Sequence, residues 1–339
     1  MNIWYDITNT PQVHFLLAID NMLKETGLVD GTIYSARDFS ETIKMLEYRV
    51  GKDNYTVIGS HYGRSYFNKL IGLLKRFKDI YNLPFNYDIS VSCGSESAIW
   101  TSFLKGKKSI AFGDNDQARQ WTYAQMVSYA FFPSAIPTKM LEKQGLKGKL
   151  YQYNGYKEDV YLADFKPSTD FLSTLPFDHY VVVRPENVMA NYIRNSYVKS
   201  ITPELLQLLT KQGYNVLYLP RYAHDREFAD DLKNIFIPDE PINGLDACYY
   251  SDAVLTGAGT FAREAACLGV PSFSFFLGKQ LLSVDQQLIK DGKMFFSRCP
   301  GDIVKQLTKS SKNDADIERC KSTQLEITQK LVSLLESEN

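Results

Sequence analysis

An excess of charge of either sign is missing from this sequence. Its 339 residues carry 38 Lys and Arg against 39 Asp and Glu, a formal net charge of -1. There is no global basic field to hold a polyanion, so nucleic acid is not expected as a partner. Cysteine is scarce and irregular. Cys93, Cys248, Cys267, Cys299 and Cys320 contain no C-x-x-C pair and are odd in number, which excludes reading them as a zinc site or a disulfide framework. No metal and no cofactor is expected. No apolar run is long enough to span a bilayer. The first residues lack the basic and then apolar pattern of a secretory leader, since Asn2–Ile7 reads as a strand. These absences point to a cytoplasmic protein.

What is present is a globular composition, 44% apolar and 23% charged, in a chain long enough for two domains. Short apolar strands alternate with amphipathic helices. Asn2–Ile7 reads as a strand. Thr8–Pro11 follows as a turn, with Pro11 opening a helix that carries Val13, Leu16, Leu17, Ile19, Met22 and Leu23. Strands are expected near Thr32–Ser35, Thr56–Gly59, Asp88–Ser92 and Ser109–Phe112. The pattern restarts with strands at His179–Arg184, Asn215–Leu219, Ala253–Thr256 and Ser272–Phe276, and with a helix at Asp225–Asn234. Such alternation predicts parallel sheets with helices on both faces. The expected domains are 1–165 and 177–312, separated by a Pro- and Ser-containing stretch. A terminal helix over 313–339 is expected to pack back across the boundary.

The most informative stretch is Leu255 to Glu264, at a strand-to-helix turn. Gly257, Ala258, Gly259 and Thr260 would let a ligand approach backbone amides at a helix N-terminus, which suits a diphosphate. The run also fits G-x-G-x-x-A. However, the next strand ends in Phe275-Phe276-Leu277 with no acid for a ribose, which argues against a nicotinamide dinucleotide. Glu264, one turn on, is a candidate for ribose hydroxyls. Arg184 and Arg221 each end a strand and offer forked donors to phosphate, or else form surface ion pairs.

In the first half, the cluster around Asp6, Asn9 and His14 also follows a strand. His14 and Asp6 are candidate bases, and Asn9 is a candidate sugar-nucleotide contact. Ser95 could hold an acceptor or a phosphate, and Asp114 could supply a carboxylate base. The helix over Asn68–Tyr81 carries Lys69, Lys75, Arg76 and Lys78 beside apolar residues. It reads either as an ordinary surface helix or as a peripheral contact with the inner face of a membrane.

Taken together, Ile3-Trp4-Tyr5-Asp6-Ile7-Thr8-Asn9 with His14-Phe15, Tyr34-Ser35-Ala36-Arg37, Asn154-Gly155-Tyr156-Lys157-Glu158, Val182-Val183-Arg184-Pro185, Leu219-Pro220-Arg221 and Gly257 to Pro271 resemble the family called domain of unknown function 354. That family is similar to the GT-B superfamily, with its peptidoglycan N-acetylglucosaminyltransferase and UDP-N-acetylglucosamine 2-epimerases. The resemblance implies an α/β fold of two Rossmann-like domains facing across a cleft. It implies a nucleotide-sugar partner, most simply a UDP-sugar. The Gly257–Thr260 turn would take the diphosphate, Glu264 the ribose, and the segment around Asn243-Gly244-Leu245 the base. His14 and Asp6 would face the sugar.

The long glycine-rich loop of the transferase is absent, and Asn9-Thr10-Pro11-Gln12 stands in its place. The leading expectation is a metal-independent glycosyltransferase of surface polysaccharide or glycolipid assembly, with a glycan or lipid-linked acceptor. The alternatives are a nucleotide-sugar 2-epimerase and a non-catalytic binding or scaffold protein.

Overall fold

The structure, a computed structural model, describes residues 1–39, 41–60, 66–186, 199–278 and 280–337. The chain forms two units: residues 1–163 with 318–339, and residues 164–317.

In the first unit the chain runs β1 (Asn2–Ile7), α1 (Pro11–Glu25), β2 (Gly31–Asp38), α2 (Thr42–Val50), β3 (Thr56–Ser60), α3 (Tyr66–Tyr81), β4 (Ile89–Ser92), α4 (Glu96–Leu104), β5 (Lys108–Phe112), β6 (Tyr129–Pro133), α5 (Thr138–Leu141), β7 (Leu150–Tyr153) and α6 (Lys157–Leu162). Among the described residues, seven parallel strands lie in the order β3-β2-β1-β4-β5-β6-β7. The central strand β1 is apolar on both faces because helices cover both sides: Ile3, Trp4, Tyr5 and Ile7 are fully buried.

The second unit continues with β8 (Val181–Arg184), α7 (Thr202–Lys211), β9 (Val216–Tyr218), β10 (Ile235–Phe236), α8 (Gly244–Tyr250), β11 (Ala253–Thr256), α9 (Gly259–Cys267), β12 (Ser272–Ser274), α10 (Ser283–Lys290), β13 (Met294–Phe296) and α11 (Pro300–Leu307). Its described strands are also parallel, in the order β10-β9-β8-β11-β12-β13. In each sheet the strand order reverses beside the first strand, between β1 and β4 and between β8 and β11. Doubly wound sheets bind ligands at that reversal, beyond the carboxyl ends of the strands.

The last helix, α12 (Ile317–Glu336), belongs to the first unit. Arg319 donates to the fully buried carboxylate of Asp159 at 2.8 Å, and Thr323 donates to Asn154 O at 2.9 Å. Gly155 makes the approach possible. Its φ is +134°, and a Cβ there would lie 2.1 Å from Thr323 Oγ1.

Two sequence expectations are corrected. Residues 225–234 do not form an α-helix; a 3-10 helix covers Ala223–Ala229 instead. Asp225 accepts from the amides of Arg221 and Tyr222, which fixes a tight turn, and Asp231 and Asn234 both take a φ of 61°. Short polar side chains tolerate that left-handed backbone, and it cannot continue a helix. The basic helix departs from the ordinary surface-helix reading, in which its apolar side would be buried. Arg76 of α3 points inward and is buried, while Phe67, Leu70, Ile71 and Leu74 are exposed, with Lys75 and Lys78 beside them.

Arg76 meets Asp6 there. Its Nη2 donates to Asp6 Oδ1 at 2.6 Å and its Nη1 to Oδ2 at 2.9 Å. The pair ties α3 to β1, and both side chains are almost fully buried. Breaking such a pair strands a buried charge, at a cost of about 3–5 kcal/mol. Asp6→Asn and Arg76→Met are each expected to lower stability to urea by an amount in that range. A change below about 1 kcal/mol in both variants would show that water reaches the pair.

Candidate functional site

In the second unit, β8 and β11 end side by side, and the amide of Gly257 donates to Arg184 O at 3.1 Å. The chain then turns into α9, a nine-residue helix. Its N-cap, Ala258, has no side-chain acceptor, and its first turn holds no acid. The Ala258 amide donates to Thr256 Oγ1 at 2.9 Å, which shapes the turn from below. Helix N-termini without a cap present amides and a positive dipole to an anion.

Two charged side chains lie near that turn, and a third lies one strand away. Arg184 lies with its guanidinium 5.5 Å from the Phe261 ring centroid. Glu264 is buried on the next turn of α9. Both sit close enough to Cys248 to act on its thiol: burial raises the thiol pKa most, Glu264 raises it further, and Arg184 opposes them. Arg221, at the end of β9, donates from Nε to Pro185 O at 2.9 Å. The structure thus brings Gly257, Ala258, Gly259, Thr260, Glu264 and Arg184 together, with Arg221 one strand away.

Ahead of α8 lies a largely apolar depression of about 400 Å³, lined by Phe171, Phe236, Pro238, Ile242 and Asn243 among others. Asn243 caps α8 by accepting from the Leu245 amide at 3.0 Å. The next residue, Gly244, abuts Phe261, since a Cβ on it would lie 3.2 Å from that ring.

Groups that the sequence did not single out hold this geometry in place. Arg263, buried in α9, donates to Asp285 at 3.1 Å and to Thr260 Oγ1 at 3.3 Å. Glu186 accepts from Ser200, the Ile201 amide, Thr202 and Arg298. Its backbone and side chain press on Gly257, where a Cβ would come within 2.5 Å of Glu186 Cα. The partners lie 14 to 112 residues from Glu186, so no local pattern marks them.

In the first unit Asp6 is held in a network of hydrogen bonds. It accepts from Arg76 twice, from Ser35 at 2.6 Å and from Ser95. Burial alone would raise its pKa, but the Arg76 guanidinium and the two hydroxyls outweigh burial and hold it below the ordinary carboxylate value. Ser95 donates to the same carboxylate and accepts from the Ala98 amide. Asn9 turns its Oδ1 onto the Thr10 amide at 2.9 Å, closing the turn before α1.

His14 stacks on Tyr161 with ring centroids 5.7 Å apart. Burial, with Arg49 nearby, lowers its pKa to about 4. A base that weak holds little of an acceptor's proton near neutrality. Asp114, at the end of β5, keeps some exposure and accepts from Lys157 Nζ at 2.7 Å. The Cys93 thiol, which Lys157 and Asp114 both influence, is pushed up to about 12, mainly by desolvation. Among the described residues, no group of three or more His, Cys, Asp or Glu is placed to hold a metal ion. No described helix is long and apolar enough to cross a membrane.

The fold is mixed α/β, with two parallel Rossmann-like sheets of the GT-B type. The chain belongs to the family described as protein of unknown function (DUF354), whose model matches residues 1–332. An uncharacterized protein of Methanocaldococcus jannaschii is 25% identical over 321 residues, 90% of each chain.

Among solved structures, UDP-GlcNAc 2-epimerase of the same organism, in complex with UDP-GlcNAc and UDP, aligns with a TM-score of 0.71. It is 14% identical and covers 98% of this chain and 100% of its own. UDP-GlcNAc 2-epimerase from Neisseria meningitidis bound to UDP-GlcNAc aligns at 0.65, 13% identical, over the full length of both chains. The glycotransferase of kitacinnamycin aligns at 0.59, 10% identical, over 99% and 98%.

Two outcomes check this site. The His14 imidazole is expected to titrate near pH 4 by NMR. Because the unfolded chain takes up this proton first, His14 contributes a loss of stability as pH falls from about 6.5 towards 4. A titration midpoint near 6.5 would refute the buried, neutral imidazole. Gly257→Ala is expected to destabilise by about 1–3 kcal/mol, because its neighbour is backbone and cannot yield. Gly301→Ala, on the exposed side of α11 where a Cβ meets nothing closer than 4.0 Å, is the control and is expected to be neutral or mildly stabilising. Equal urea midpoints for the two variants would contradict the contact with Glu186.

Proposed function

We propose that this protein binds a nucleotide-diphosphate sugar, most simply a UDP-sugar, and transfers the sugar to an acceptor. The observation that carries the reading is the uncapped N-terminus of α9 at the β8–β11 reversal, with Arg184 and Glu264 beside it. In this reading the α9 amides and Arg184 take the diphosphate, and Arg221 adds charge from the next strand. Glu264 accepts from the ribose hydroxyls. The base enters the depression at Phe236 and Asn243, whose size suits a nucleoside.

Preorganised amides and arginines stabilise the leaving diphosphate as its charge develops. Of the three expected bases, Asp114 is the one that the network around Asp6 and the stacking of His14 leave in position to deprotonate an acceptor hydroxyl. The acceptor is a glycan or a lipid-linked glycan. The exposed apolar stripe of α3 with Lys75 and Lys78 supports contact with an anionic lipid surface.

A second reading, sugar-nucleotide 2-epimerisation, is favoured by the aligned structures named for that activity. It needs an acid and a base around C2, and the first unit offers Asp114 with Lys157 for those roles.

Thermal-shift titration with a panel of nucleoside diphosphates and nucleotide-sugars tests the shared step. One nucleotide-sugar is expected to raise the melting temperature, and Arg184→Ala to weaken it about tenfold. No shift with any of them would remove both readings. Turnover in D2O then separates the two. Release of free nucleoside diphosphate that depends on acceptor supports transfer, whereas deuterium at C2 without acceptor supports epimerisation.

A further inference from the structure

Arg37 lies near the end of β2, and among the described residues it is a cation close to Asp6 that the Asp6 network does not satisfy. A carboxylate offers about four acceptor positions. Those of Asp6 are filled by the two terminal nitrogens of Arg76, by Ser35 and by Ser95. Arg37 therefore stands near an acid that has no place left for it. Its Nη2 donates to Thr8 O at 2.9 Å, and its guanidinium lies 5.0 Å from the Phe39 ring centroid. Its Nε is buried with no hydrogen-bond partner. Among the described residues, no carboxylate is paired with it.

Among the described residues, the charges that act on Arg37 are the Arg76 guanidinium and the Asp6 carboxylate. Burial and the charge of Arg76 both disfavour the charged form of Arg37, and Asp6 only partly offsets them. An arginine left in such a place without a fixed counterion is costly unless something else supplies the negative charge. The position is informative too. Arg37 lies at the carboxyl end of its strand, beside the Thr8–Thr10 turn that follows β1 at the reversal of strand order. The helix entered from that turn, α1, has no acid in its first turn, so its dipole adds potential of the same sign.

We propose that Arg37 is an anion-binding residue that takes a phosphate-type oxyanion of a bound ligand through its guanidinium fork. A rotamer step that releases Thr8 O presents Nε and a terminal nitrogen together, the geometry a phosphate oxygen pair accepts. The proposal deepens the nucleotide-sugar reading and rests on it for the view that ligands meet the carboxyl ends of these strands. The oxyanion could belong to the nucleotide or to a separate, phosphate-bearing second ligand. The chemistry at Arg37 is the same for either source.

The test is thermal-shift titration with inorganic phosphate, with and without saturating UDP, on the wild type, Arg37→Gln and Arg37→Lys. Phosphate is expected to raise the wild-type melting temperature. Arg37→Gln is expected to weaken phosphate binding at least about tenfold, and Arg37→Lys to weaken it less, because the charge stays and the fork is lost. A response to phosphate that persists with UDP bound identifies a separate ligand as the source. Its loss with UDP bound identifies the nucleotide. An Arg37→Gln protein that folds and binds phosphate like the wild type overturns the proposal.

If that variant does not fold, wild-type crystals soaked in tungstate decide. Anomalous density within bonding distance of the Arg37 guanidinium supports the site, and density at other positions only overturns it. Failure of the nucleotide-sugar reading would look different. Phosphate binding would still depend on Arg37, but no nucleotide-sugar would shift any of the three proteins.

Discussion

Asp6 is the constraint on which the first unit is built. One buried carboxylate collects two nitrogens from Arg76 on α3, a hydroxyl from Ser35 on β2 and a hydroxyl from Ser95 at the cap of α4. Ser35 in turn accepts from Trp4 Nε1 at 2.8 Å. Four elements thus register against one charged group at the place where the strand order reverses. The charge is tolerated because every acceptor position is used and because the opposing cation is bidentate. The same saturation leaves Asp6 with no acceptor position for Arg37.

The second unit repeats the device with a different result. Glu186 follows β8 and also accepts from four donors, among them Arg298 from the far side of the unit. Here the backbone and Cγ of Glu186 pack against the glycine turn from behind. The turn is held rigid, while the α9 amides and Arg184 are not drawn into the Glu186 network. One unit uses its polar groups to lock the sheet reversal, and the other places its locked residue behind the glycine turn.

The sequence disclosed what depends on local pattern. Alternation of short apolar runs with helical periodicity marked both parallel sheets, and Gly257–Thr260 stood out because a strand-to-helix turn with two glycines is a local feature. Residues 225–234 failed for a local reason too: an apolar helical spacing was overridden by the Asp225 turn and two left-handed residues. Pairings across the chain were not legible. Asp6 and Arg76 are 70 residues apart, and nothing in either neighbourhood shows that a helix arginine will turn inward to meet a strand aspartate. The readings of Asp6 and His14 as bases and of Ser95 as a ligand contact came from where they sit along the strands. Burial and partners add that the first and last are tied into one network and that His14 is weakly basic.

The attachment of α12 also has a consequence for the order in which the protein is made. Asp159 lies near the end of the first stretch of its unit, but its guanidinium partner is Arg319, 160 residues later. During synthesis the whole second unit, residues 164–317, emerges between them. Until α12 arrives, Asp159 is left to water and to the Tyr156 amide, and the slot at Gly155 is empty of Thr323. The half that begins the chain is therefore the last to be finished.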